Sequence, residues 1–215
     1  MLYILYDTMA PKKRNQSLAH QKVILLGAGG VGKSALIFQF VYEEFLENYE
    51  PTKADCFQKK VTLEDDEIQV NILDTAGQED YEGIRDHYIK SGEGFLIIYS
   101  ITDEFSFQKS QDFRDHILRV KNDDDVPIIL VGNKCDLHSK RQVSILQGQM
   151  YANSWKVQYF ETSAKTRTNV DCVFIEIIKQ ICHRKLPNHT NTEKKFDTSC
   201  APIKCKCGPI KCQIF

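Results

Sequence analysis

Gly27-Ala28-Gly29-Gly30-Val31-Gly32-Lys33-Ser34 follows the apolar run Val23-Ile24-Leu25-Leu26 and precedes Ala35-Leu36-Ile37-Phe38-Gln39-Phe40. The order is strand, glycine turn, helix. As G-x-x-x-x-G-K-S the turn reads as a phosphate-binding P-loop, because glycines let the backbone pass close to phosphate oxygens while successive N–H groups point inward. Gly29, Gly30, Val31, Gly32, Lys33, Ser34 and Ala35 are therefore expected nucleotide-binding residues. The Lys33 ammonium can reach the β- and γ-phosphates, the Ser34 hydroxyl suits Mg²⁺, and the following helix sets its positive end behind the anion. The motif names no base. It serves a small-molecule kinase, an ATPase motor and a GTP switch equally well.

Working outward, the apolar runs come in a regular alternation. Cys56 to Leu63 and Ile68 to Leu73 read as strands joined by the acidic turn Glu64-Asp65-Asp66-Glu67, an antiparallel hairpin. Gly94 to Tyr99 precedes an amphipathic segment from Phe105 to Val120, and Pro127 to Val131 precedes another from Ser144 to Trp155. Val157 to Phe160 reads as a short strand, and Asn169 to His183 carries Val173, Phe174, Ile177, Ile178 and Ile181 at helical spacing. This βαβ rhythm predicts an α/β P-loop NTPase fold, a mainly parallel six-stranded sheet with helices on both faces. Ligands then bind beyond the C-terminal strand ends.

The remaining chemistry falls at those ends. Asp74-Thr75-Ala76-Gly77-Gln78 closes one strand, where a carboxylate can sit beside a metal and a glycine N–H can approach the terminal phosphate. Gly132-Asn133-Lys134-Cys135-Asp136 and Glu161-Thr162-Ser163-Ala164-Lys165 follow two others. Asp136 can accept from the N1–H and the exocyclic amine of guanine together. Adenine offers no such donor pair, and a buried carboxylate left unpaired costs roughly 1–3 kcal/mol or more. Asn133 and Lys134 would brace and cover the base.

The chain has 215 residues, 42% hydrophobic and 27% charged, with a formal net charge of −1. Such a balance lacks the basic excess of a nucleic-acid binder, so none is expected as a partner. Residues 1–19 read as a flexible leader, 20–186 as one nucleotide-binding domain and 187–215 as a flexible polar tail. The opening Met1-Leu2-Tyr3-Ile4-Leu5-Tyr6 lacks a basic flank and is too short for a secretory signal, and no run approaches the roughly 20 apolar residues of a membrane span. Of 8 cysteines, Cys200, Cys205, Cys207 and Cys212 crowd the tail. Without a signal peptide they are expected to be reduced thiols in cytosol, and C-x-C spacing suits structural zinc poorly. Cys212-Gln213-Ile214-Phe215 fits C-a-a-X, with a final Phe favouring geranylgeranyl.

With these motifs in this order, Lys22 to Arg184 resembles the Ras superfamily of small GTPases, and looks closest to its Ral subfamily. Tyr49-Glu50-Pro51-Thr52-Lys53-Ala54-Asp55 is similar to Ral switch I and Asp74-Thr75-Ala76-Gly77-Gln78-Glu79-Asp80-Tyr81 to switch II, and Ile84-Arg85-Asp86 and Ser91-Gly92-Glu93-Gly94-Phe95 extend the likeness. The resemblance implies GTP/GDP as ligand with Mg²⁺ on Ser34 and Thr52, Asp74 in the metal's outer shell, and Phe45 and Tyr49 beside the nucleotide. It implies Gly77 on the γ-phosphate, Gln78 at the attacking water with Lys33 and Thr52 as its catalytic companions, and Asp136 with the Ser163-Ala164-Lys165 backbone reading guanine. It further implies an activating protein that supplies an arginine, an exchange factor, Ral-type effectors such as exocyst components, and a prenyl anchor at Cys212. Cys205 and Cys207 are expected acylation sites. The expected location is the cytoplasmic face of the plasma membrane, with vesicle membranes as a second address. The Ral tail is richer in Lys and Arg than this one. Two rival readings are a nucleotide-bound scaffold without turnover, opposed by Gln78, Gly29 and Thr52, and a P-loop kinase, which has no use for Asn133 and Asp136.

Overall fold

The structure, a computed structural model, describes residues 20–45, 55–63, 66–75 and 82–185. Among these, six strands form one sheet in the order β2-β3-β1-β4-β5-β6. They are β1 (His20–Leu26), β2 (Asp55–Leu63), β3 (Asp66–Asp74), β4 (Gly94–Ser100), β5 (Ile128–Asn133) and β6 (Gln158–Glu161). β2 pairs antiparallel with β3, and every other neighbouring pair is parallel. Five helices accompany them: α1 (Lys33–Tyr42), α2 (Glu82–Ser91), α3 (Glu104–Lys121), α4 (Ile145–Trp155) and α5 (Val170–Lys185). The expected architecture is the observed one.

The central strands read as unbroken apolar runs because both their faces are covered. In β1, Val23 and Leu25 point to one layer and Ile24 and Leu26 to the other, as the period of two requires. Leu96 and Ile98 of β4 and Ile129 and Val131 of β5 join the first layer, packed with α1 and α5 through Ile37, Phe40, Phe174 and Ile177. Phe95, Ile97 and Tyr99 join the second, packed with Ile89 of α2, Ile117 of α3 and Trp155 of α4. Phe40 and Phe174 stack with ring centroids 4.2 Å apart.

From β1 the chain passes through α1 to β2 and β3 on one side, then returns to β4 on the other. β1 therefore sits at the switch point of the sheet, and its C-terminal end opens into a crevice flanked by the ends of β3 and β4. That is where the glycine turn lies.

Two elements were not anticipated from the sequence. α2 mixes Gly83, charges and only a few apolar residues, so its periodicity is faint and its helicity depends on packing against α3 and β1. A short 3-10 segment, Cys135–Lys140, follows β5 where the expected loop begins. The helix ends are otherwise set locally. Asp103 accepts from the Phe105 N–H to start α3, and Ser144 and Gln147 form a reciprocal capping box at α4.

Phe174→Ala is expected to remove the stacked ring beneath Phe40 and lower the unfolding free energy by about 3–5 kcal/mol. Urea denaturation at matched nucleotide concentration measures it. A loss below about 1 kcal/mol would mean that this layer relaxes around the missing ring.

Candidate functional site

The turn after β1 is shaped for close backbone approach. A Cβ on Gly27 would lie 2.1 Å from the Ile98 carbonyl oxygen, and one on Gly32 would lie 2.5 Å from Nδ2 of Asn133. Gly30 has open space about it but adopts φ +74, and Gly32 φ +97, conformations that favour glycine. Gly29 and Gly30 are exposed, while Val31 is buried. Gly32 occupies the N-cap of α1 with no side-chain cap and no acid in the first turn. The first N–H groups of the helix are thus left for a ligand, and the dipole favours an anion.

Lys33 is buried with its ammonium curled back over the turn, donating to the carbonyls of Gly27 at 2.8 Å and Ala28 at 3.0 Å. It holds the loop's shape and keeps positive charge at the mouth of the cradle. Ser34 and Ala35 are half-buried in the first turn behind it. Thr75 closes the far wall, its hydroxyl donating 2.8 Å to the Leu25 carbonyl.

Asp74, at the end of β3, is fully buried, and neither of its carboxylate oxygens makes a well-formed hydrogen bond among the described residues. Burial pushes its carboxyl above the ordinary range, with the Ser34 hydroxyl and then the Lys33 charge acting in the opposite sense. A buried acid without full compensation, beside a serine hydroxyl, is the donor chemistry of a hard cation. Mg²⁺ needs few protein ligands because it keeps several waters, so Ser34 and Asp74 fit that group.

The third and fourth motifs meet on the opposite wall. Asn133 is buried at the end of β5, donating through Nδ2 to the Val31 carbonyl at 2.9 Å and accepting from the Thr162 hydroxyl at 3.1 Å. The Lys134 ammonium donates to the Gly30 carbonyl at 2.7 Å, and burial lowers its proton affinity. Ser163 is buried and its hydroxyl donates 2.6 Å to Oδ1 of Asp136. Ala164 is buried and Lys165 exposed beside it. Gln39 of α1 reaches across to donate 2.7 Å to the Ala164 carbonyl. Phe45, three residues past α1, is exposed.

Sequence reasoning missed Thr75, Thr162 and Gln39. A glutamine on the apolar face of α1 was the one readable sign among them. It also missed a network beneath the fourth motif. The Tyr99 and Tyr159 hydroxyls meet at 2.8 Å, Tyr159 donates to Glu161 at 2.9 Å, and Arg141 forks onto Glu161 at 2.6 and 2.7 Å. Tyr49, Thr52, Gly77, Gln78, Cys205, Cys207 and Cys212 lie outside the described residues.

A phosphate cradle at the switch point of a parallel sheet, with an acid-bearing wall across from it, defines a P-loop nucleotide-binding protein. The profile of the Ras family matches residues 22–183. Ras-related protein Ral-a of Drosophila melanogaster is 55% identical over 196 residues, covering 91% of this chain and 98% of that one. Ras-related protein O-RAL of Diplobatis ommata is 55% identical over 188 residues, 86% of this chain and 91% of its own. Ras-related protein Ral-B of Mus musculus is 51% identical over 197 residues, 91% and 96% respectively. The chain belongs to the Ras family and is a Ral-like small GTPase.

Asn133→Ala would strand the Val31 carbonyl and the Thr162 hydroxyl, a loss of about 1–3 kcal/mol for a buried pair left unmet. Guanine-nucleotide affinity is expected to fall at least about tenfold, measured by equilibrium titration with a fluorescent GDP analogue. Affinity within about twofold of wild type would show that the cradle keeps its shape without the brace.

Proposed function

We propose that this GTPase reads guanine through Asp136 and places its phosphates on the Gly29-to-Ala35 turn, with Ser34, Thr52 and Asp74 serving Mg²⁺. The observation that carries the reading is the juxtaposition of the Ser163–Asp136 pair with a phosphate cradle to which Asn133 ties it. Ser163 occupies one lone pair of Asp136 and fixes its rotamer, leaving acceptors for the N1–H and amine of the base. The Ser163-Ala164-Lys165 backbone then covers the guanine carbonyl edge, while Phe45 and Tyr49 flank the nucleoside.

Within the cradle the Lys33 ammonium is already buried, so turning from the loop carbonyls to phosphate oxygens exchanges one set of acceptors for another. When bound, Mg²⁺ neutralises charge on the β- and γ-phosphate oxygens. Gln78 orients the attacking water, and Gly77 and Thr52 sense the γ-phosphate, so that their loops rearrange on hydrolysis. Residues 47–53 contain no arginine. An activating protein therefore supplies one in trans, and an open Gly29 leaves room for it. An exchange factor reloads the site, and Ral-type effectors, exocyst components among them, read the GTP-bound loops.

Cys212 carries the prenyl group in this reading. One chain gives only marginal attachment, so a second signal is needed. Arg184, Lys185, Lys194, Lys195, Lys204, Lys206 and Lys211 against Glu193 and Asp197 supply an attraction to anionic lipid, and Cys205 and Cys207 supply acylation sites. The protein then works at the cytoplasmic face of the plasma membrane and on vesicles. No described helix is long and apolar enough to cross a membrane.

Asp136→Asn is expected to move preference from GTP toward XTP, because an amide presents a donor where xanthine offers a carbonyl. Competition binding measures this, and an unchanged preference for GTP would place base reading elsewhere. Cys212→Ser is expected to shift the protein from membranes to the soluble fraction of cells. A variant as membrane-bound as wild type would remove the prenyl anchor from this account.

A further inference from the structure

We propose that Glu43, Arg167 and Asp171 form a latch that holds the base side of the nucleotide pocket shut, with Arg167 the positioning residue that sets how long guanine nucleotide is retained. The inference rests on the preceding assignment of Phe45 and Lys165 to the base. Glu43 ends α1 two residues before Phe45, and Arg167 stands two residues after Lys165. They are 124 positions apart in the chain.

One guanidinium spans the gap. Its Nη1 and Nη2 each lie 3.0 Å from a different carboxylate oxygen of Glu43. Its Nε and Nη2 donate to Asp171 at 3.0 and 3.2 Å, which anchors the fork to the first turn of α5. Four contacts thus join the planar guanidinium to two acids, a geometry a lysine could not reproduce. Lys59 of β2 adds a second positive charge facing Glu43, and with Arg167 it holds the Glu43 carboxyl below its ordinary range.

The backbone places both side chains at turns. Glu43 has φ +62 and Arg167 φ +61. At Glu43 this is the left-handed C-cap that ends α1, and at Arg167 it turns the chain back toward α5. On the Arg167 side the turn belongs to the base loop itself: Ser163 N–H donates to the Thr168 carbonyl at 3.1 Å and Thr166 N–H to the Ser163 hydroxyl at 3.1 Å, the same hydroxyl that holds Asp136. The buried Gln39–Ala164 bond joins α1 to this loop one turn earlier. In this reading release of the base separates the end of α1 from the loop carrying Ala164 and Lys165, and the Glu43–Arg167 ion pair is a solvent-accessible bond across that seam. Being accessible, it is weakened by salt, whereas the buried Gln39 bond is not.

The test uses the full chain loaded with a fluorescent GDP analogue and chased with unlabelled GDP at low and high sodium chloride. At low salt Glu43→Gln is expected to release nucleotide about two- to fivefold faster, the range of a well-oriented surface pair. High salt should quicken wild type toward the variant and leave the variant unchanged, and Glu43→Asp should retain the salt response. In an Arg167→Gln background Glu43→Gln should add nothing. Release from Glu43→Gln that matches wild type at both salts, or that speeds up equally in the Arg167→Gln background, would overturn the latch while leaving the guanine-nucleotide assignment standing. Failure of wild type to bind the analogue at all would overturn both.

Discussion

The carboxamide of Asn133 is the point on which the nucleotide edge of the sheet depends. Its N–H donor holds the loop after β1 and its oxygen holds Thr162 just past β6, so the glycine turn and the loop after β6 are positioned by one rigid group. The side chain is buried, where its bonds face no competition from water and would be expensive to leave unmade. Asparagine supplies a donor and an acceptor on two separate atoms of one short, planar group. Aspartate would set a negative charge against the Val31 carbonyl, and glutamine would push the loop away.

Around that group the site stores unmet polar capacity. The first turn of α1 has no side-chain cap, the Lys33 ammonium is turned onto the carbonyls of Gly27 and Ala28, and Asp74 is buried with its carboxyl pushed above the ordinary range. Each cost falls away when an anion and a cation enter together. These groups stand at the ends of strands whose two faces are covered by apolar layers.

Beneath the loop after β6 lies a second polar layer. Tyr99 and Tyr159 share one hydrogen bond across Gly132, where a Cβ would lie 2.8 Å from the Tyr99 hydroxyl and 3.0 Å from that of Tyr159. Burial pushes the Tyr99 hydroxyl up to about 12, so it stays a neutral donor at any physiological pH. The chain of bonds runs on through Glu161 to Arg141 and ends at the Val143 carbonyl, just before the capping box of α4. It fixes the exit of β6 toward Thr162 and Ser163. Burial lifts the Cys135 thiol to about 11, and the side chain packs against the apolar layer in the same region.

The order of strands and helices, the phosphate cradle and the acid that follows β5 were all readable in the sequence, because each is a local pattern: an apolar period, a glycine spacing, a turn after a run of Val, Ile and Leu. α2 was not, since Gly83 and its charges blur the period and its helix exists by packing. Nor were the contacts that give the motif residues their work. Asn133 lies 102 positions from Val31, Gln39 lies 125 from Ala164, and Glu43 lies 124 from Arg167. Sequence spacing says nothing about such pairs, because they are created when parallel strands bring distant loops to one edge. The sequence determined which chemistry the chain carries, through residue types that only phosphate and guanine recognition needs together. The tertiary structure alone decided which backbone carbonyl each of those side chains would hold, because that depends on sheet order and register and not on any neighbour along the chain.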